Sequence, residues 1–164
     1  MLLTDNLIRY DMPDAEKTEA REDSGVMEKM CPPLQGLRHL ALRVRDIRKS
    51  KDFYLRIFGL KVVWEPDPQN CYLSSGIDNL ALHEAPAEDA AGHASTPTSP
   101  LDHFGFIAGS PQVVNAWAAW AEQNGVTIVK PVKRHRDGSY SCYLADPDGN
   151  TIQILYEPTI SKAP

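Results

Sequence analysis

Cysteine is scarce in this chain: Cys31, Cys71 and Cys142 are all it has, an odd number with no C-x-x-C pair among them. That argues against a disulfide framework and against a thiolate zinc site, so the thiols read as buried or incidental. Also missing is any apolar run of about 18 residues, the length that marks a membrane-spanning helix. The start, MLLTDNLIRYDMP, sets Asp5 close behind its leucine pair where a secretory leader has a basic start and a longer apolar core. The expectation is a cytoplasmic protein with no membrane partner. Nor is there an excess of positive charge: Lys and Arg number 17 against 22 Asp and Glu, a formal net charge of −5. Nucleic-acid affinity comes largely from clustered cations, so no nucleic-acid partner is expected. One basic stretch, KPVKRHR from Lys130 to Arg136, reads as a solvated loop ahead of a strand.

What is present is an ordinary globular composition, 42% hydrophobic and 24% charged, with one phrase written twice. LRHLALRVRD at Leu37 to Asp46 and LDHFGFIAGS at Leu101 to Ser110 each put a histidine at the start of a strand-like run that ends in a helix cap. After the first, Ile47, Ser50, Phe53, Tyr54, Ile57 and Phe58 recur at helical spacing, and Gly59 closes the helix. Strands are expected at Leu60 to Trp64, Cys71 to Ser74 and Leu80 to His83. After the second, Pro111 sits at the first helical position, Val113, Trp117, Trp120 and Ala121 form the buried stripe, and Gly125 ends the helix. Strands follow at Val126 to Val129, Tyr140 to Leu144 and Thr151 to Tyr156, the last two joined by the turn Asp146-Pro147-Asp148-Gly149.

Each half therefore reads strand, helix, strand, strand, strand. The predicted class is α+β, two βαβββ modules forming an open, cup-shaped mixed sheet with flanking helices. Module one spans 34–85, a linker 86–100 and module two 101–158, with a tail at 159–164. Residues 1–33 read as an arm, flexible or helical, whose stretch from Asp14 to Met30 forms a helix if something packs against it, an isolated helix of that length being marginal in water.

The motifs H-x-A-L-x-V-x-D at His39, D-F-Y through G-L at Asp52 to Leu60, L-D-H at Leu101 to His103 and D-P-D-G-N at Asp146 to Asn150 resemble the vicinal oxygen chelate superfamily. It includes glyoxalase I, fosfomycin- and bleomycin-resistance proteins, methylmalonyl-CoA epimerase and extradiol dioxygenases. The resemblance covers roughly Leu34 to Pro158. It implies a divalent metal held by residues on the first and last strand of each module, which here are His39, Ala81, His103 and Gln153. Alanine has no donor, and period-two geometry puts His83 on the same face one pleat further along, as a candidate fourth ligand. Neutral nitrogen and amide-oxygen donors suit Fe, Mn, Ni, Co or Zn as the divalent ion. The stretch RHRDGSYSCY looks like the loop and strand that extradiol dioxygenases use beside their substrate, which implies catalytic roles for His135 and Tyr140.

The expected function is a divalent-metal-dependent enzyme acting on a small substrate with vicinal oxygens, of lyase or isomerase type. Gln153 stands where the family usually has glutamate and cannot abstract a proton, which counts against glyoxalase itself. An extradiol ring-cleaving dioxygenase and a metal-free small-molecule binding protein of the bleomycin-resistance type are the alternatives. The family's habit of burying open sheets against a second subunit implies a homodimer.

Overall fold

The computed structural model describes residues 32, 34–86 and 100–161. The expectations for the arm, for its helix at Asp14 to Met30 and for most of the linker lie outside the described residues. The chain divides before Gly36, and the account below concerns the unit that begins there.

Module one runs β1 (His39–Val44), α1 (Ile47–Phe58), β2 (Lys61–Asp67), β3 (Asn70–Ser74) and β4 (Asn79–Glu84). Module two runs β5 (Phe104–Ile107), α2 (Pro111–Gln123), β6 (Ile128–Arg134), β7 (Tyr140–Ala145) and β8 (Thr151–Tyr156). Each forms a four-stranded mixed sheet, in the orders β1-β4-β3-β2 and β5-β8-β7-β6, with its first and last strands parallel and the other pairs antiparallel. The duplication seen in the sequence is thus a duplication of topology.

Local chemistry explains the elements. The Asp46 carboxylate accepts from the backbone N–H groups of Arg48 and Lys49 and so caps α1, which Gly59 closes at φ 65°. Ser110 caps α2 and Pro111 opens it, but Asn124 is the residue that ends that helix, and the positive φ of 67° falls one position later, at Gly125. The buried stripe of α2 is also rotated from the one expected. Val114 and Ala121 are buried, Val113 and Trp120 are 41% and 42% exposed, and the Trp120 indole N–H donates to the Ile57 carbonyl oxygen at 3.0 Å.

The two outer strands run further than the sequence pattern suggests, β2 through Pro66 to Asp67 and β6 across most of the basic stretch, through Pro131 to Arg134. The expected loop at Lys130 is therefore a strand. Edge strands tolerate proline and lysine because one row of their backbone groups needs no partner, and both pairings carry register shifts that break the simple alternation.

One face of each sheet packs on its helix. Leu40, Leu42, Val44, Cys71, Leu73, Leu80 and Leu82 do so in module one, and Phe104, Phe106, Cys142, Leu144, Ile152 and Ile154 in module two. Cys71 and Cys142 occupy equivalent places, opposite Leu82 and Ile154, and both are free thiols. Burial pushes the Cys142 thiol up to about 11, which leaves it protonated and unreactive at neutral pH.

The modules are stitched together through α1. Phe58 stacks on Trp117 at 5.1 Å and meets Phe106 at 4.9 Å between ring centroids. The Tyr54 hydroxyl donates to Asp146 at 2.8 Å, the Ser50 hydroxyl to Asp148 at 2.6 Å, and the Arg45 backbone N–H to Asp148 at 2.8 Å. The D-P-D-G-N turn, between β7 and β8, thereby docks on the start of α1.

Candidate functional site

The other face of each sheet carries the chemistry, because strand register decides which side chains share it. In module one His39 pairs with Asn79, Ala41 with Ala81 and Arg43 with His83, and Tyr72 lies opposite Ala81. Alternation puts all of these on the face away from α1. In module two Gly105 pairs with Gln153, and Gln153 lies opposite Tyr143. His103, two residues before Gly105, joins that face.

His39 and His103 line one cavity of about 310 Å³ together with Arg38, Asp78, Asn79 and an apolar wall. Each imidazole is anchored through Nδ1. His39 donates to the Asn79 side-chain oxygen at 2.7 Å, and His103 donates to the Asp102 carboxylate. That hydrogen bond is the main influence holding the Asp102 carboxyl below its usual range. Anchoring Nδ1 in this way fixes the tautomer and leaves Nε2 with its lone pair, the arrangement found behind metal-bound histidines.

Gln153, 8% exposed, donates from its amide nitrogen to the Tyr143 hydroxyl at 2.8 Å, which frees its amide oxygen. The His103 ring meets the Tyr143 ring edge to face at 5.4 Å, so Tyr143 joins His103 to Gln153. Lys130 lies over the same ring, 4.7 Å from its centroid. Gly105 keeps the approach clear: a Cβ there would sit 3.0 Å from the Gln153 carbonyl oxygen.

The remaining candidates lie elsewhere on the two sheets. Ala81 is fully buried and offers no donor. His83 is on the expected face but four residues along β4 from Asn79, about 13 Å away in strand rise. Its Nδ1 donates to the Asn70 side-chain oxygen at 2.6 Å, and it does not line the cavity with His39 and His103. Tyr140 turns to the helix side and donates to Asn115 of α2 at 2.9 Å. His135 contacts the Ser141 hydroxyl at 2.9 Å, on the Tyr143 side of β7 but two residues from it.

Sequence reasoning passed over Asp78, Asn79 and Asp102, and it chose Tyr140 where Tyr143 is the tyrosine bonded to Gln153. The signal was available in part, since Tyr140 and Tyr143 are three apart and must face opposite ways. Which tyrosine faces the histidine depends on register, which only the pairing with β8 decides.

Among the described residues no three His, Cys, Asp or Glu side chains gather to hold a metal. The candidate donor set is the two imidazoles that share the cavity lining and the amide oxygen of Gln153, which is outside that lining but pairs with Gly105, which is in it. Its chemistry fits a borderline divalent cation: three neutral donors, two of them pre-oriented by an oxygen partner. None of them is a carboxylate, so a bound ion would keep its full double charge toward a ligand.

Comparisons with known proteins agree with this architecture. Residues 36–154 match the Glyoxalase/Bleomycin resistance protein/Dioxygenase superfamily. The chain is 30% identical over 153 residues to a lactoylglutathione lyase of Pseudomonas putida, covering 74% of this chain and 84% of that protein. It is 26% identical over 125 residues to the metallothiol transferase FosB of Staphylococcus saprophyticus, covering 74% and 76%. A crystal structure of lactoylglutathione lyase from Agrobacterium tumefaciens, 24% identical, superposes with a TM-score of 0.62 over 76% of this chain and 96% of that one, which shows the shared fold. Among the described residues no helix is long and apolar enough to cross a membrane. The chain belongs to the Glyoxalase/Bleomycin resistance protein/Dioxygenase superfamily.

Proposed function

We propose that the protein is a divalent-metal-dependent enzyme that binds a small molecule through two adjacent oxygens, with His39, His103 and Gln153 as the protein's donors. One observation carries this reading: the two histidines at duplicated positions line one cavity, each with Nδ1 hydrogen-bonded to an oxygen and with no Nε2 partner among the described residues. When bound, a divalent ion supplies Lewis-acid polarisation of a carbonyl or stabilisation of an enolate. The chain does the rest. Asn79 and Asp102 orient the imidazoles, Tyr143 fixes the Gln153 amide, and Lys130 holds positive charge beside the Tyr143 ring, where an anionic substrate group is favoured.

A lyase or isomerase also needs a proton carrier. Gln153 cannot serve. The carboxylate in the cavity lining is Asp78, whose Oδ1 accepts from the Ser75 backbone N–H at 2.7 Å; it is the base this reading assigns. A second reading, transfer of a thiol as the name of the FosB relative describes, is favoured by the same glutamine, because a thiol nucleophile does not require a base on the metal. The extradiol reading rests on His135 and Tyr140. With Tyr140 tied to Asn115 on the helix side, the geometry lends that reading no support.

The test is Gln153→Glu. A carboxylate adds one negative charge to a neutral donor set, so affinity for Mn(II) or Zn(II) is expected to rise by about tenfold or more, equivalent to ~1.4 kcal/mol. Titration of chelator-treated protein with a metallochromic competitor measures it. An unchanged affinity would remove Gln153 from the donor set.

A homodimer belongs to the proposal. The open faces leave Trp64 58% exposed and Ile107 50% exposed, apolar surface that a second copy would cover. Sedimentation equilibrium at micromolar concentration is expected to give twice the 18.2 kDa of one chain; a monomer mass would count against it.

A further inference from the structure

We infer that two copies of this chain meet through the outward face of α2, helix against antiparallel helix about a twofold axis. The inference rests on the homodimer proposed above and names the face by which it forms.

α2 breaks the local rules for a helix that faces water. Its 13 residues carry one charged side chain, Glu122, whereas the 12 residues of α1 include Arg48, Lys49, Lys51, Asp52 and Arg56. Val113 stands three residues after the Ser110 cap, where Glu or Gln would complete a capping box. The position is filled instead by a β-branched side chain that is 41% exposed. Trp120, 42% exposed, already donates its indole N–H to the Ile57 carbonyl oxygen, so the ring is held in place and presents hydrocarbon outward. Ala116 and Ala119, also exposed, leave room for the 8–10 Å axis separation of packed helices. Rules broken with no local gain point to a function at this face.

The symmetry of the face says what covers it. Val113, Ala116, Trp117 and Trp120 follow the i, i+3, i+4, i+7 spacing of a single helical stripe. An antiparallel copy centred between 116 and 117 sets Val113 opposite Trp120 of the partner subunit, with Ala116 beside the axis. The stripe is thus its own complement, the condition for an isologous contact. A shallow groove runs along it, with Phe58 and Gly59 on the far side, and receives the partner's Trp120. Arg56, the charged residue in the groove lining, is bonded to Asp52 of its own helix at 2.8 Å. Such a face offers little to a charged partner and most to a copy of itself.

The test is sedimentation equilibrium of the full chain at micromolar concentration, on wild type, Val113→Glu and Trp64→Ser. Glutamate at 113 completes the capping box with Ser110 and puts negative charge in the first turn, both favourable to the helix of a monomer. Circular dichroism should therefore be unchanged. In the dimer the same change buries a carboxylate against an indole on both sides of the axis, and at about tenfold for each the Kd is expected to rise at least about 100-fold. Trp64→Ser, on the open face of module one, is expected to leave the dimer intact. Ala116→Cys in a Cys31→Ser background is expected to give a covalent dimer on oxidation, since Cys71 and Cys142 are buried.

A wild-type dimer that dissociates with Val113→Glu and cross-links with Ala116→Cys supports the inference. A dimer that persists in Val113→Glu, or one lost in Trp64→Ser alone, overturns it and leaves the homodimer reading standing. A wild type that is a monomer overturns both.

Discussion

Alanine at both His39 and His103 is expected to weaken divalent-ion affinity by at least about 100-fold, equivalent to ~2.7 kcal/mol, and to abolish any metal-dependent turnover. Removing a group that merely orients a ligand already costs 10- to 100-fold in metal affinity, and here two of the three proposed donors go at once. The fold should survive. His39 is exposed and, among the described residues, its side chain is bonded to Asn79 alone, while His103 is 35% exposed in its side chain and bonded to Asp102. Circular dichroism and urea unfolding close to wild type, alongside the lost affinity, would separate a donor role from a structural one.

Asp146→Ala is expected to cost about 3–5 kcal/mol of stability, the range for breaking a buried charged network by removing one partner. Asp146 is 6% exposed and accepts from the Tyr54 hydroxyl, the Asn150 backbone and side-chain N–H groups, and the Asp148 backbone N–H, at 2.8 to 2.9 Å. Tyr54 is fully buried, so its hydroxyl would be left without a partner, at about 1–3 kcal/mol. The damage would reach the site, because this turn leads into β8 and Gln153. Tyr54→Phe removes the donor but leaves Asp146 its three N–H partners and should cost only about 1 kcal/mol. Urea unfolding of both variants checks the ranking.

The same residue sets a pH dependence. Burial is the largest influence on Asp146 and raises its pKa above the ordinary 3.8, so the folded state holds the proton more tightly than the unfolded chain. Its contribution is therefore fullest below about 3.8 and is lost as pH rises through the raised folded value. Asp46, Asp102 and Asp137, all lowered by hydrogen bonds, act in the opposite sense: their contribution is present above 3.8 and fades as pH falls. Relative to Asp146→Asn, the wild type should accordingly gain stability as the pH is lowered from 7 toward 4.

Much of the fold was legible because its signals are local. The caps at Asp46 and Ser110, the glycine at Gly59 and the Asp146 to Gly149 turn each act within a few residues, and the repeated phrase around His39 and His103 announces the duplication. The edge strands were read short because Pro66 and Pro131 suppress the strand pattern, and a sequence does not say which strands are edges. Val114 replaced Val113 in the core because the Trp120 indole is held at Ile57 of the other module, a contact 63 residues away in the chain.

The candidate site was legible where duplication bears on it and obscure where register does. The proposed donors His39, His103 and Gln153 were picked from equivalent strand positions. The choice of Tyr143 over Tyr140, the step of about 13 Å along β4 that separates His83 from Asn79, and the two oxygen anchors on the imidazoles all depend on which strand lies beside which. Asn79 in particular is invisible to a search for metal-ligand residue types, although its place beside His39 orients that ring.

The most direct measurement is the metal content of the full chain, purified without chelator or affinity tag from cells supplied with Mn, Fe, Co, Ni and Zn, by inductively coupled plasma mass spectrometry. The account predicts about one divalent ion per chain in the wild type and less than about one tenth of that in the His39→Ala, His103→Ala variant, as a 100-fold weaker site gives when the free ion stands at no more than about ten times the wild-type Kd. A wild type equally empty of metal, or a double variant that keeps its ion, would contradict it.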